Sequence, residues 1–155
     1  MSDAKFEDGA QAPLNLGALD TDDLAVISSL AQDAVFPASE MRWLKREGRF
    51  ALLLNRMRWE DEGTTQRAPE RVQSVLIFNT VQSVSSQEVP KGDPDTVLSL
   101  LHIGFEPSEA PSGHITLTLA GDGAIRLSVE ALDVTLKDVT RPYTAPSKKR
   151  PSHPE

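Results

Sequence analysis

The stretch HITLTLAGDGAIRLSVE, residues 114–130, decides the fold. Ile115, Leu117 and Leu119 alternate with polar residues before the glycines, and Ile125, Leu127 and Val129 do so after them. A period of two is that of a strand with one face in the core. Both apolar sets are odd-numbered, so residues that face each other must sum to an even number. A two-residue Asp122-Gly123 loop pairs Leu119 with Arg126 and sets the core face against the water face. A three-residue loop, Gly121-Asp122-Gly123, pairs Leu119 with Ile125, Leu117 with Leu127 and Ile115 with Val129, and is the register expected. The polar face then opposes His114 to Glu130. Leu132, Val134 and Leu136 resume the alternation on the other parity, which predicts a β-bulge or bend at Glu130–Leu132.

The same period runs upstream. Val97–Phe105 reads as a strand with Val97, Leu101, Ile103 and Phe105 facing one way, and Arg71–Phe78 as one with Val72, Leu76 and Phe78 on one face. Val81–Val89 is rich in Ser and Gln and reads as an edge strand or extended loop. Glu40–Lys45 and Arg49–Glu60 flank Arg46-Glu47-Gly48, a three-residue hairpin loop in which Gly48 supplies a positive φ. That loop opposes Trp43 to Ala51 and Leu44 to Phe50, with Trp43 and Trp59 as core residues. Phe50 through Leu54 is apolar on both faces, the mark of a central strand covered twice. One helix precedes these strands. Asp20 or Thr21 is its N-cap, Asp22 and Asp23 put negative charge in its first turn, and Leu24, Ile27, Leu30 and Ala31 form its apolar stripe. Pro37 ends the helical stretch, and Leu14–Leu19 is a short apolar segment that can form a strand.

These elements predict an α+β, mainly β domain: an antiparallel half-open barrel or roll of about seven or eight strands with one N-terminal helix, pleckstrin-homology-like in shape. The alternative is a β-sandwich with one packed helix. A chain of 155 residues fits one domain, expected over 13–140. Residues 1–12 are expected to be a disordered N-terminus, and 141–155, with four prolines and a basic cluster, a disordered tail.

Composition narrows the function classes. Without cysteine there is no disulfide framework, thiol nucleophile or thiolate metal site. No apolar run reaches the ~20 residues of a membrane span, and the N-terminus has neither the basic start nor the apolar stretch of a secretory signal. A cytoplasmic protein is therefore expected. The net charge of −7 disfavours nucleic acid and anionic lipid as partners. The charge is uneven: residues 1–35 hold seven acids and one base, whereas residues 36–60 hold Arg42, Lys45, Arg46, Arg49, Arg56 and Arg58 against three glutamates.

The segments ALDTDDLAVISSLAQDAV (18–35), RFALLLNRMRWE (49–60), HIGFEPSEAPSG (102–113) and ITLTLAGDGAIRLSVEALDVTLKDV (115–139), in this order, resemble an alpha-proteobacterial family of small uncharacterised proteins, a domain of unknown function. The resemblance spans roughly residues 14–140. It implies a bacterial, cytoplasmic, single-domain protein and carries over no catalytic residue, ligand or partner.

Few residues are candidates for chemistry. The spacing of His102 and His114 matches no zinc motif, no G-x-S-x-G elbow is present, and the glycines at 121 and 123 lead to no helix N-terminus. No metal and no cofactor is expected. The polar cluster with acid/base potential is His114 with Glu130, flanked by His102, since a carboxylate beside a histidine favours and orients the imidazolium. Arg42, Arg56 and Arg58 form a candidate anion patch near Trp59, a route to RNA or nucleotide binding. Against both stands the ordinary solvated sheet surface. The leading expectation is a non-catalytic binding or protein-interaction module using the 61–70 and 106–113 loops and the 81–89 edge. The alternative is a small-molecule barrel or small enzyme built on His114 and Glu130.

Overall fold

The computed structural model describes residues 13–58, 70–89, 95–139 and 143–144. The expected disordered N-terminus, the body of the 61–70 loop, Trp59 and most of the 141–155 tail lie outside them. The chain forms β1 (Asn15–Ala18), α1 (Thr21–Ala31), β2 (Val35–Pro37), β3 (Met41–Leu44), β4 (Arg49–Met57), β5 (Glu70–Phe78), β6 (Val81–Gln87), β7 (Val97–Pro107), β8 (Gly113–Leu119), β9 (Ala124–Val129), β10 (Val134–Asp138) and β11 (Tyr143–Thr144). All pairings are antiparallel, in the order β1-β10-β5-β4-β2-β7-β8-β9-β6, with β3 beside β4 and β11 beside β5.

This open sheet curls into a half-open roll of mainly β structure with one helix. The bend lies in β7. Its first residues continue β2, pairing Phe36 with Leu98 and Pro37 with Val97. A register shift follows between Leu100 and His102, and from there β7 pairs with β8. The shift carries the core face from Leu98 and Leu100 to Ile103, while Leu101 turns out. The expected alignment of Val97 and Leu101 with Ile103 is thereby corrected, because an extra residue in one strand inverts the facing of everything beyond it.

The two halves of the sheet close on one core. It holds Phe50, Leu52, Leu54, Leu76 and Phe78 from one half and Ile103, Ile115, Leu117, Ile125 and Leu127 from the other. Helix α1 adds Leu24, Ile27 and Ala31 to the same core and packs chiefly on β7 and β1. Asp20 is its N-cap, its carboxylate accepting from the Asp23 amide at 2.8 Å. The edge position expected for 81–89 holds for β6, which pairs only with β9 and carries no charge from Val81 to Gln87.

Both hairpins differ in register from expectation. In the first, Lys45–Glu47 forms a 3-10 turn and Gly48 takes φ +62°, so Trp43 faces Phe50 and Leu44 faces Arg49. The tighter turn holds one residue more than a three-residue loop, and one residue exchanges the faces. In the second, Leu117 faces Ile125 and Ile115 faces Leu127. Core matching is preserved, but the register is displaced by two, because Gly121 and Asp122 both adopt positive φ and the Leu119 amide donates to Gly123 O at 2.8 Å. The parity change after Glu130 is a bend at Glu130–Ala131, the second of the two expected forms, and not a bulge. The chain leaves β9 there, ties back through Glu130 N to Thr80 O and Asn79 N to Asp133 O, and enters β10 beside β5. Tyr143–Thr144, the stretch between Pro142 and Pro146, pairs with Arg71 and Glu70 inside the segment expected as tail.

Candidate functional site

The displaced register separates the histidine cluster. His114 faces Ser128 on β9 and Glu106 on β7 rather than Glu130. Glu130 lies past the end of β9, where it accepts from Gln82 Nε2 at 3.5 Å. His102 faces Thr118, nearer the helix, and its Nδ1 sits 3.4 Å from Ser28 Oγ. That oxygen already accepts from the Ile103 amide at 3.0 Å. A nucleophile and its base sit within ~2.6–3.2 Å and carry a third group that orients the base. Ser28 and His102 exceed that reach, and among the described residues neither contacts a carboxylate.

The anion patch is also dispersed. Arg56 continues the even-numbered series Phe50, Leu52 and Leu54, which faces the core, and its side chain is 0% exposed. Three polar groups from three strands meet there. Arg56 Nε donates to Ser74 Oγ at 3.1 Å, and its Nη2 reaches Asp138 Oδ1 and Oδ2 at 3.0 and 3.2 Å. Ser74 Oγ donates to Asp138 Oδ1 at 2.7 Å, and the Leu14 amide donates to Oδ2 at 2.9 Å. A buried charge is tolerated when paired and hydrogen-bonded on all sides, and this guanidinium–carboxylate pair is satisfied within the protein. It is internal architecture, turned away from any anion outside. Arg58 is buried as well and pairs with Glu70 at 3.2 Å. Arg42 alone is at the surface, where it donates to the carbonyls of Ser39 and Met41. Sequence reasoning missed Ser74 and Asp138. The available signal was a polar residue at a core-parity position in each of three strands: Arg56 after Leu54, Ser74 between Val72 and Leu76, Asp138 after Leu136.

The other face of the same strands carries an apolar strip between polar residues. Ladder register sets Lys137, Val75 and Leu53 in one row across β10, β5 and β4, and Pro37 opposite Val97 across β2 and β7, with Leu53, Pro37 and Val97 around one groove. Thr135, Ile77, Ala51 and Arg42 make the row on one side, and Gln73, Asn55, Val35 and Ser99 the row on the other. Leu53, Val75, Ile77 and Val35 are half-buried, Val97 is 64% exposed, and none of them belongs to the core. A groove of about 290 Å³ runs among Val35, Pro37, Leu53 and Val97, with Glu40 on its wall. Among the described residues, strand and turn residues alone line it. The second cover that the doubly apolar β4 calls for is thus not supplied by α1.

Among the described residues no helix is long and apolar enough to cross a membrane, and no group of three potential metal ligands occurs. No curated protein and no solved structure matches the chain. A family model does match it over residues 14–153, beginning at the residue whose amide Asp138 holds, and the chain belongs to that family, described as Protein of unknown function (DUF2948).

Proposed function

We propose that this chain is a non-catalytic protein-interaction module that docks its partner on the outer face of β10, β5, β4, β2 and β7. One observation carries the reading: the apolar row Val75, Leu53, Pro37 and Val97 lies on the side of the sheet away from the core. Val97 is 64% exposed and Leu53 and Val75 are half-buried, and covering what stays open of this row gains ~25 cal/mol for each Å². The polar candidates add support, since His102, His114 and Glu130 sit in separate places and Arg56 is consumed internally. The cysteine-free composition suits a reducing compartment, and we place the module in the cytoplasm.

The test is site-specific photo-cross-linking in the cells the chain comes from. A photoreactive residue replaces Val97, or, as control, the 52% exposed Val26 of α1. The expected result is a discrete adduct from position 97 that disappears when Leu53→Asp is added, and none from position 26. No adduct at 97, or one indifferent to Leu53→Asp, overturns the reading.

A further inference from the structure

We infer that the open edge of β6 pairs with β6 of a second copy of this chain, antiparallel about a two-fold axis at Ser85. This edge is separated from the docking strands by β8 and β9 and does not depend on what covers them. β6 leaves main-chain groups unanswered, and nothing in the sequence of its second half guards them.

Hydrogen bonds on the two sides of β9 fix which groups of β6 face outward. The Leu119 amide donates to Gly123 O, and beyond it Leu117 faces Ile125 and Ile115 faces Leu127. Antiparallel pairs alternate between bonded and non-bonded, so Ile125 and Leu127 turn their N–H and C=O to β8. Ala124, Arg126 and Ser128 therefore turn theirs to β6, as does Glu130, whose amide donates to Thr80 O at 2.9 Å. Gln87, Ser85 and Ser83 answer the first three. Val84 and Ser86, which lie between them, point N–H and C=O away from β9, and among the described residues no other strand pairs with β6. Val81 adds nothing to this edge, because its amide donates to Gly48 O at 2.8 Å.

Sheet edges are guarded by shortness, charge, proline or a bulge. β1, at the other end of the order, has four residues, and β3 carries Arg42. β6 has an irregularity at Gln82, but Ser83–Gln87 beyond it hold neither charge nor proline, and all of them except Val84 are exposed. This window fits its own copy, as a two-fold interface requires. With Ser85 on the axis, Val84 faces the partner's Ser86 and Ser86 faces the partner's Val84, so every outward group of the window is answered. Glu88, just past the strand, comes to the end where the partner's Lys45 and Arg46 line a groove with Gln82. In that groove Glu47 is held by Arg49 and Glu130 accepts from Gln82, whereas among the described residues neither Lys45 nor Arg46 forms an ion pair. Each copy carries −7, and an uncharged strand with unlike charges at its ends is where two such copies meet with least repulsion. So short a contact buries less than the ~800 Å² per partner of a standard interface, and the dissociation constant is expected on the order of 100 µM.

Two measurements on the full chain test the pairing. The first is amide hydrogen exchange by NMR. Exchange at Val84 and Ser86 should slow about fourfold as concentration rises from about 10 µM to about 1 mM, while Ser83, Ser85 and Gln87, bonded to β9, stay protected throughout. Ser86→Pro removes an outward N–H and spares the bonds to β9. It should erase the concentration dependence at Val84 with Ser83 and Ser85 still protected. The second uses the absence of native cysteine. In Ser85→Cys the two thiols face each other at the axis within disulfide reach, so oxidised glutathione at about 300 µM protein should give a covalent dimer. Ser83→Cys alone and Gln87→Cys alone should link at least about tenfold more slowly, because each faces the other position, and their equimolar mixture should regain most of the rate. Exchange at Val84 and Ser86 that ignores concentration overturns the inference, as does a Ser85→Cys chain that links no faster than Ser83→Cys.

Discussion

The two faces of β4 invert the usual arrangement. Its inner face ends in a fully buried guanidinium, Arg56, and its outer face presents Leu53 beside Val75 and Pro37. The difference shows that facing alone does not assign polarity: a strand can bury a charge when neighbouring strands bring its counter-ion, and can leave apolar residues half-buried on the face turned from the core. Inside, the polar atoms answer to Ser74, Asp138, the Leu14 amide and the Met57 carbonyl, so the cost of burial is met locally. Outside, among the described residues, the groove beside Leu53 is lined by the sheet and its turns.

The comparison is broken most severely from within. Arg56→Ala leaves Asp138 buried without its counter-charge, and Asp138→Ala does the reverse; each should cost about 3–5 kcal/mol, read as a melting point lower by about 6–20 °C. A cost under ~1 kcal/mol would mean that water reaches the pair. Replacing the whole cluster, with Arg56→Met, Ser74→Ala and Asp138→Leu together, should leave stability level or raise it, because removal of both charges ends the desolvation cost. Adjacent leucines sharpen the contrast. Leu52→Ala, in the core, should cost about 2–5 kcal/mol in urea denaturation. Leu53→Ala, one residue on and facing out, should cost about 1 kcal/mol or less in dilute monomer. Equal losses at the two positions would show that the outer face is covered within the chain. The smallest effect lies away from both faces: Asp20→Ala removes the N-cap of α1 and should cost about 1 kcal/mol, read by the same denaturation.

Much of the fold was legible because strand periodicity is a local property. The alternation in β4, β5, β8 and β9, the edge position of β6 and the cap of α1 all follow from neighbours in sequence. Register was less legible. Matching core faces in the β8–β9 hairpin fixes only whether partners sum to an even number, and even sums two apart satisfy it equally. The choice fell to the positive φ of Gly121 and Asp122, which moved the loop one residue upstream to Ala120–Asp122. That single step moved His114 from Glu130 to Ser128 and dispersed the polar candidate. In β7, one extra residue at Leu101 turned the later apolar residues over, and alternation carries no mark of a bulge. The inner cluster was legible only as three polar residues at core parity; their pairing was not, because Arg56 and Asp138 lie 82 positions apart and only the finished sheet makes them neighbours. The outer face was half legible, since Phe50–Leu54 announced two covers while nothing in the sequence announced that the helix serves the core instead.

The Asp138 carboxylate bears on how the molecule assembles in time. It gathers partners 64, 82 and 124 residues away, so it closes only after the fourth, fifth and tenth strands and the first residues of the domain are in place. Contacts of such separation bear the full entropy of loop closure and slow the search for the native state. The cluster therefore acts as the last fastening of the roll: weakening it should quicken unfolding while leaving the rate of folding nearly untouched.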